Sequence, residues 1–154
     1  MKPGEIRALV NSLDATSTQS WERALPRLGG IAEDIAPFCL EAYSSFRRWQ
    51  GRASLVFCCI PHARKSDDAV RLGLAALGDR SWVVRYRACS LLAYSQRNDV
   101  LPQLRALLAH SDVRTVADAR AAIDAIESAN HHYFYDRDHS GKLKWSVNEN
   151  ASAA

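Results

Sequence analysis

Residues 77–92 of the chain read LGDRSWVVRYRACSLL, and the fold prediction depends most on this segment. The segment 78–81 is rich in turn formers, and Ser81 can cap the helix that follows it. Helical periodicity continues on both sides, over 67–77 before the turn and over 82–95 after it. The stretch therefore predicts two helices joined by a short turn.

Helical periodicity runs through almost the whole chain and predicts eight helices joined by short turns. They cover residues 3–13, 19–28, 31 or 37 to 46, 48–60, 67–77, 82–95, 98 or 99 to 109, and 111 or 112 to 128. Related residues also recur: 87–92 match 52–57 at an offset of 35, and Ala88 reappears as Ala119 at an offset of 31. A repeat of this length that holds two helices is the signature of a solenoid.

The opening stretch resembles a repeat of the HEAT-like family. The family pattern has an aspartate in the turn between two helices, Val-Arg five residues later, and then alanine and leucine on the second helix. The matching residues here are Asp79, Val84, Arg85, Ala88 and Leu92.

The resemblance is good over 66–95, fair over 98–127 and weak before residue 60. It implies a right-handed α-solenoid, most often a non-catalytic binding scaffold. In such proteins the aspartate and arginine of successive repeats form a ladder along the solenoid. Asp79 and Arg85 are therefore expected to be structural ladder residues.

The pattern changes after residue 130. Residues 131–136 and 142–147 are short, aromatic and alternating, and the segment between them is turn-like, with Gly141 suited to a positive φ. The predicted fold is therefore all-α, a HEAT-like solenoid of about four antiparallel helix pairs over 1–130. A short β-hairpin over 131–148 is expected to cap it, followed by a frayed tail at 149–154.

The predicted hairpin turn also contains half of a calcium-binding pattern. Asp136, Asp138 and Ser140 followed by glycine match the first half of an EF-hand loop, but Val147 stands where the bidentate glutamate is needed. These three residues are a weak calcium candidate, and a hydrogen-bonded aspartate turn is the alternative. Nearby histidines, of which only one could join such a site, are a weaker case for a transition metal.

Basic residues are concentrated in the middle of the chain. Segment 47–97 carries ten lysines and arginines, nine of them arginine, against three aspartates, while the rest of the chain is mildly acidic. Arginine suits forked contacts to carboxylate or phosphate and stacking on aromatic rings. We therefore expect a protein partner with an acidic surface, with nucleic acid as the second option.

Familiar catalytic motifs are absent from the sequence. It has no glycine-rich phosphate loop, no Gly-x-Ser-x-Gly, and no His-Glu pair of the kind that holds a di-iron centre in some HEAT-like enzymes. We therefore predict no catalytic residues, no metal or other cofactor, and no enzymatic activity.

The cysteines and the hydropathy indicate the compartment. Four cysteines lie among apolar residues without a C-x-x-C pair, which favours buried free thiols in a reducing environment. No apolar run reaches the roughly 18 residues that a membrane helix needs. We expect a cytoplasmic protein without membrane contact.

These observations favour a bacterial-type, non-catalytic scaffold that grips an acidic protein through an arginine-rich, aromatic surface. In its sharper form the hypothesis is an inhibitor or immunity-type protein for a toxin. The alternative is a HEAT-like protein that binds nucleic acid, including a DNA base-excision enzyme. The oligomeric state stays open. The residues expected to contact the partner are Arg48, Trp49, Arg52, Arg80, Trp82, Tyr86 and Arg87.

Overall fold

Helices make up the regular secondary structure, and the all-α class is confirmed. The computed structural model describes residues 1–15 and 18–149. Its helices are α1 (Pro3–Asn11), α2 (Thr18–Gly29), α3 (Ala36–Tyr43), α4 (Trp49–Cys59), α5 (Asp67–Ala76), α6 (Trp82–Ser95), α7 (Leu101–Ala106) and α8 (Val113–Glu127). Short 3-10 turns lie at Ser12–Asp14, Ile60–His62, Asn98–Val100, Leu107–Ala109 and His131–Phe134.

The helices form two layers. The even-numbered helices α2, α4, α6 and α8 pack on one another in chain order, as do α1, α3 and α5. Each odd-numbered helix also contacts the even-numbered helix that follows it. A solenoid-like stack of helix pairs therefore describes the chain. No helix among the described residues combines the length and apolar character needed to cross a membrane.

Apolar burial between the layers holds the stack together. Leu55, Leu72 and Leu91, from α4, α5 and α6, are fully buried. Gly73 lets α5 lie close to α6, because a Cβ atom there would come within 2.9 Å of the Leu91 side chain. All four cysteines are buried and free, as the sequence predicts.

Ser66 and Ser81 each precede a helix, but only Ser66 caps its helix with the side chain. The Ser66 Oγ accepts a hydrogen bond from the backbone N–H of Ala69 and caps α5. Ser81 precedes α6 but its side chain makes no capping bond. Its backbone N–H instead donates to the Asp79 carboxylate at 2.9 Å, so Asp79 organises this turn.

Two arginine–aspartate contacts, one buried and one partly buried, link successive helix pairs. Arg52 of α4 binds Asp79, in the turn before α6, at 2.8 Å. Arg85 of α6 reaches Asp112, which caps α8, at 3.4 Å, and donates to the Thr115 hydroxyl at 2.9 Å. Arg85 also donates to the backbone carbonyl of Asp79. The two predicted ladder residues, Asp79 and Arg85, thus take part in one chain of contacts.

The predicted β-hairpin cap is wrong, because the described residues after 130 form no strand. His131–Phe134 is a 3-10 turn, and residues 142–148 are in neither a helix nor a strand. Histidine side chains occupy the backbone groups that a strand would pair: the Trp145 N–H donates to Nδ1 of His132, and Nε2 of His131 bonds the Trp145 carbonyl. Most of the tail predicted at 149–154 lies outside the described residues.

Candidate functional site

A groove lined by aromatic side chains runs along α2, α4, α6 and the C-terminal segment. It contains three adjoining cavities. The arginine cavity, about 490 Å³, lies at the starts of α4 and α6. The central cavity, about 430 Å³, lies between α2, α4 and α6. The inner cavity, about 420 Å³, lies between α2, α4 and residues 145–148.

Arg87 is the cation shared by the central and inner cavities. Its guanidinium lies 4.8 Å from the centre of the Phe57 ring and 5.5 Å from that of Tyr86. No carboxylate of the described residues lies within ion-pair distance of it. Arg87 is half-buried, so its charge faces a largely apolar space and has unused hydrogen-bonding capacity.

Apolar and aromatic side chains make the walls of the inner cavity. Phe57 of α4 is 47% exposed although it lies in an apolar helix. Leu25 of α2 and Tyr135 and Trp145 of the C-terminal segment also line it. The Tyr135 and Trp145 rings meet edge to face at 4.9 Å. The cavity is therefore completed by the segment that the sequence assigned to a hairpin.

Cys58 also lines the inner cavity. Burial raises the pKa of the Cys58 thiol far above its ordinary value. The thiol therefore stays protonated at neutral pH and is a poor nucleophile. The chemistry offered by this cavity is recognition by Arg87 and the rings around it.

The C-terminal segment is fastened to α6 by polar contacts. Arg64 donates to Nδ1 of His131 at 3.0 Å, and its guanidinium lies 4.0 Å from the centre of the Tyr94 ring. The Tyr94 hydroxyl bonds the carboxylate of Glu149. With the histidine bonds to Trp145, these contacts position the outer wall of the inner cavity.

Lowering the pH from 7.5 to 5.5 is expected to loosen this wall. Burial lowers the pKa of His131, and the charges of His132 and Arg64 act in the same direction, whereas the hydrogen bond to the Trp145 carbonyl and the charge of Glu149 oppose the shift. The unfolded chain therefore takes up a proton at higher pH than the folded one. The contribution of neutral His131 to stability is fully present above the pKa of about 6.5 that the side chain has in the unfolded chain. It is lost as the pH falls from there towards the lower pKa of His131 in the folded protein.

Amide hydrogen exchange at Trp145 measures this effect locally. Protection, corrected for the intrinsic exchange rate, is expected to fall with pH in the wild type. The fall should be smaller in His131→Gln, whose amide keeps a donor and an acceptor but does not titrate, while the bond from the Trp145 N–H to Nδ1 of His132 is present in both proteins. An equal fall in both proteins would exclude His131 as the titrating group.

The seven residues predicted to contact a partner divide into three groups. Trp49 and Trp82 are 43% and 40% exposed and, with Arg48 and Arg80, line the arginine cavity. Arg52 is only 6% exposed, and its Nε and Nη2 atoms donate to both carboxylate oxygens of Asp79. It therefore serves the interior of the fold.

Tyr86 and Arg87, the remaining two, lie on α6 beside the inner cavity. The Tyr86 hydroxyl donates to the Tyr135 hydroxyl at 3.1 Å. Sequence reasoning did not select Phe57, Tyr135 or Trp145 as site residues. Phe57 stands in an apolar run that gave no sign of exposure, while the other two were read as hairpin residues.

The calcium candidate is bonded to its own turn. Asp136 is 2% exposed and its carboxylate accepts hydrogen bonds from the backbone N–H groups of Ser140 and Gly141 and from the Ser140 hydroxyl. These bonds lower the pKa of Asp136, the Ser140 side chain contributing most. These bonds are those of a hydrogen-bonded aspartate turn, which the sequence offered as the alternative to a calcium site.

A di-iron centre of the His-Glu kind does not fit the residues of this chain. The sequence contains no His-Glu pair. Over 1–15 and 18–149, no three His, Cys, Asp or Glu side chains are grouped so that they could hold a metal ion.

The fold is shared with a known enzyme. No protein-family model matches the chain, and no curated protein matches it significantly. Among solved structures it is similar to human deoxyhypusine hydroxylase, solved in complex with glycerol, with a TM-score of 0.67 and 17% identity. The match covers 95% of this chain and 49% of that one. The chain thus spans about half the length of that protein, and the likeness shows the fold alone.

This finding contradicts the expectation of a non-catalytic protein-binding scaffold and of no enzymatic activity. The scaffold role was argued from the fold, and the lack of activity from missing catalytic motifs, but a protein that shares this fold is an enzyme. The alternative of a nucleic-acid-binding protein also fits the similarity to this enzyme poorly. The protein-binding, immunity and bacterial assignments find no support in the comparisons.

Proposed function

We propose that the chain binds a small organic anion with a flat apolar body in the inner cavity. The observation that carries this proposal is the Arg87 guanidinium, which lies over the Phe57 ring in an apolar cavity without a carboxylate partner among the described residues. A bound carboxylate or similar anion would supply that partner.

The size of the cavity supports a small molecule. Its volume of about 420 Å³ falls within the range of about 300–1,000 Å³ usual for ligand sites. Such sites combine apolar walls with few polar groups that fix the ligand's orientation. Arg87 has this role here, and an ion pair formed in a partly dry cavity is stronger than one in water.

The walls support a flat ligand. The rings of Phe57, from α4, and of Tyr135 and Trp145, from the C-terminal segment, line the cavity. Rings pack favourably on other rings in stacked or edge-to-face arrangements. A small-molecule cavity also agrees with the use of this fold by an enzyme whose structure holds glycerol.

The contacts between helix pairs support membership of the HEAT-like repeat family. Arg52 with Asp79 and Arg85 with Asp112 are each 27 residues apart and join equivalent parts of successive pairs. Four buried free cysteines support a reducing compartment such as the cytoplasm. The family and the compartment are parts of the proposal.

Two matched probes test the proposed site by calorimetry at pH 7.5: 2-naphthoate, a flat anion, and 2-naphthol, its neutral counterpart. Arg87→Gln is expected to weaken naphthoate binding about tenfold, because it removes a charge-assisted hydrogen bond. Naphthol binding should be unchanged. Phe57→Ala is expected to weaken both, because it removes an apolar wall.

The control is Arg120→Gln, which removes the same charge from an exposed position on α8. It should leave both affinities unchanged. The proposal fails if naphthoate does not bind saturably, or if Arg87→Gln and Arg120→Gln have equal effects.

A further inference from the structure

We infer that the arginine cavity is a second site, which binds the phosphate group of a small ligand whose flat ring stacks on tryptophan. The inference does not depend on the site around Arg87. It rests on unpaired arginines that the fold holds in place on two fixed loops.

Three arginines bring net positive charge to this cavity. Arg47 and Arg80 are exposed and Arg48 is half-buried, and all three line it. No carboxylate of the described residues lies within ion-pair distance of any of them. Asp14 is the acidic neighbour, and its carboxylate already accepts the backbone N–H groups of Arg47 and Arg48 at 3.2 and 3.1 Å.

The loop between α3 and α4, which carries Arg47 and Arg48, is held from two sides. Asp14 binds its amides, as described. Arg52 binds its carbonyls, because Nη1 donates to the oxygens of Arg47 at 3.0 Å and Phe46 at 3.4 Å. Gly51 permits the approach of Asp14, since a Cβ there would lie 2.8 Å from the carbonyl oxygen of Leu13.

The loop that carries Arg80 is held by the same ion pair. The Asp79 carboxylate binds Arg52 and the backbone N–H of Ser81, while the Asp79 carbonyl accepts a bond from Arg85 at 2.8 Å. The buried Arg52–Asp79 pair therefore joins both arginine-bearing loops. Because the backbone of both loops is held, the positions from which the three arginine side chains extend are fixed, which lowers the ordering cost of binding an anion between them.

Two helix starts at the cavity favour the same kind of ligand. α4 begins at Trp49 and α6 at Trp82, and both residues line the cavity. Neither helix has an acidic residue in its first turn or a side-chain cap. The positive ends of both helix dipoles therefore add to the charge of the three arginines.

The number of donors favours phosphate over carboxylate. Three guanidinium groups can surround a tetrahedral dianion, whose oxygens point in several directions, whereas a carboxylate is satisfied by one arginine fork. Trp49 and Trp82 occupy the same first position of successive even helices and are substantially exposed. Arg114 covers the Trp82 ring at 4.1 Å, and a ligand ring can stack on the remaining aromatic surface.

Calorimetry with inorganic pyrophosphate and with adenosine diphosphate, in metal-free buffer, tests both parts of the inference. Pyrophosphate is expected to bind saturably, and Arg48→Gln and Arg80→Gln should each weaken it about tenfold. Adenosine diphosphate should bind more tightly than pyrophosphate, and Trp82→Leu should remove only that gain. Unchanged melting temperatures of the variants show that the fold is intact.

Two control variants separate this site from general charge and from the inner cavity. Arg120→Gln and Arg87→Gln should both leave pyrophosphate affinity unchanged. Absence of saturable binding, or equal weakening by Arg120→Gln and Arg80→Gln, would overturn the phosphate site. Equal affinities for the two probes would overturn the stacking of the ring.

Discussion

Replacing Arg52 by alanine is expected to destabilise the protein by about 3–5 kcal/mol, because the change leaves the buried Asp79 carboxylate without its cation. Burial opposes ionisation of Asp79, but hydrogen bonds from Arg52, Tyr43 and Ser81 together lower its pKa. Removing Arg52 takes away the largest of these contributions. It also frees the carbonyls of the loop before α4, so the loss of stability extends beyond one ion pair.

Urea unfolding of matched variants measures this effect. Arg105→Ala is the control, because Arg105 also pairs with a carboxylate, Glu127, but both side chains are more than half exposed. Exposed pairs contribute about 0–1 kcal/mol. A loss for Arg52→Ala no greater than that for Arg105→Ala would show that the buried pair does not hold the two loops.

A double replacement separates the charge from the packing. Arg52→Met with Asp79→Leu removes both charges and keeps apolar volume, and is expected to recover part of the loss caused by Arg52→Ala. Failure to recover stability would assign the loss to the hydrogen bonds that these residues make to the loops.

Replacing Phe134 by alanine is expected to cost about 3–5 kcal/mol, the range for removing a fully buried aromatic side chain. Phe134 is 0% exposed. Its ring lies 5.8 Å from Tyr86 on α6 and 6.0 Å from Trp145. It therefore joins the C-terminal segment to the helices, and its loss should also weaken 2-naphthoate binding by releasing a wall of the inner cavity.

Phe57→Ala provides the matched control, since it is the same substitution at an exposed position. Its effect on the free energy of unfolding is expected to be about 1 kcal/mol or less, because Phe57 keeps much of its surface in water. Thermal and urea unfolding of the two variants give the comparison. Similar losses in both would mean that Phe134 does not anchor the segment.

The helices were within reach of sequence reasoning because local signals specify them. Turn formers and a serine cap bound α5, a proline follows α4, and apolar residues recur at helical spacing. The predicted bounds of α6, Trp82 to Ser95, are those of the structure. Asp79 and Arg85 were picked out from one repeat pattern, and both take part in the contacts between helix pairs.

The prediction for the C-terminal segment was wrong because its local sequence pattern is typical of strands. In the structure its backbone groups form hydrogen bonds with side chains instead of with a second strand. Alternating aromatic residues indicate a hairpin when backbone groups pair with one another. Here the side chains of His131 and His132 form hydrogen bonds with the backbone carbonyl and N–H of Trp145, and the Asp136 carboxylate accepts a bond from a backbone N–H of the turn. Nothing in the local sequence distinguishes these two outcomes.

The helices, their order and the positive charge in the middle of the chain could be predicted from the sequence alone, because periodicity, caps and composition are local properties. The packing of the helices sets which arginines lie in the interior and which line the cavities. Arg52 is buried against an aspartate 27 residues away, whereas Arg87 meets an aromatic ring and an apolar cavity. That difference depends on which helices become neighbours. The residues next to each arginine in the sequence do not specify these contacts, because they join residues that are far apart in the chain.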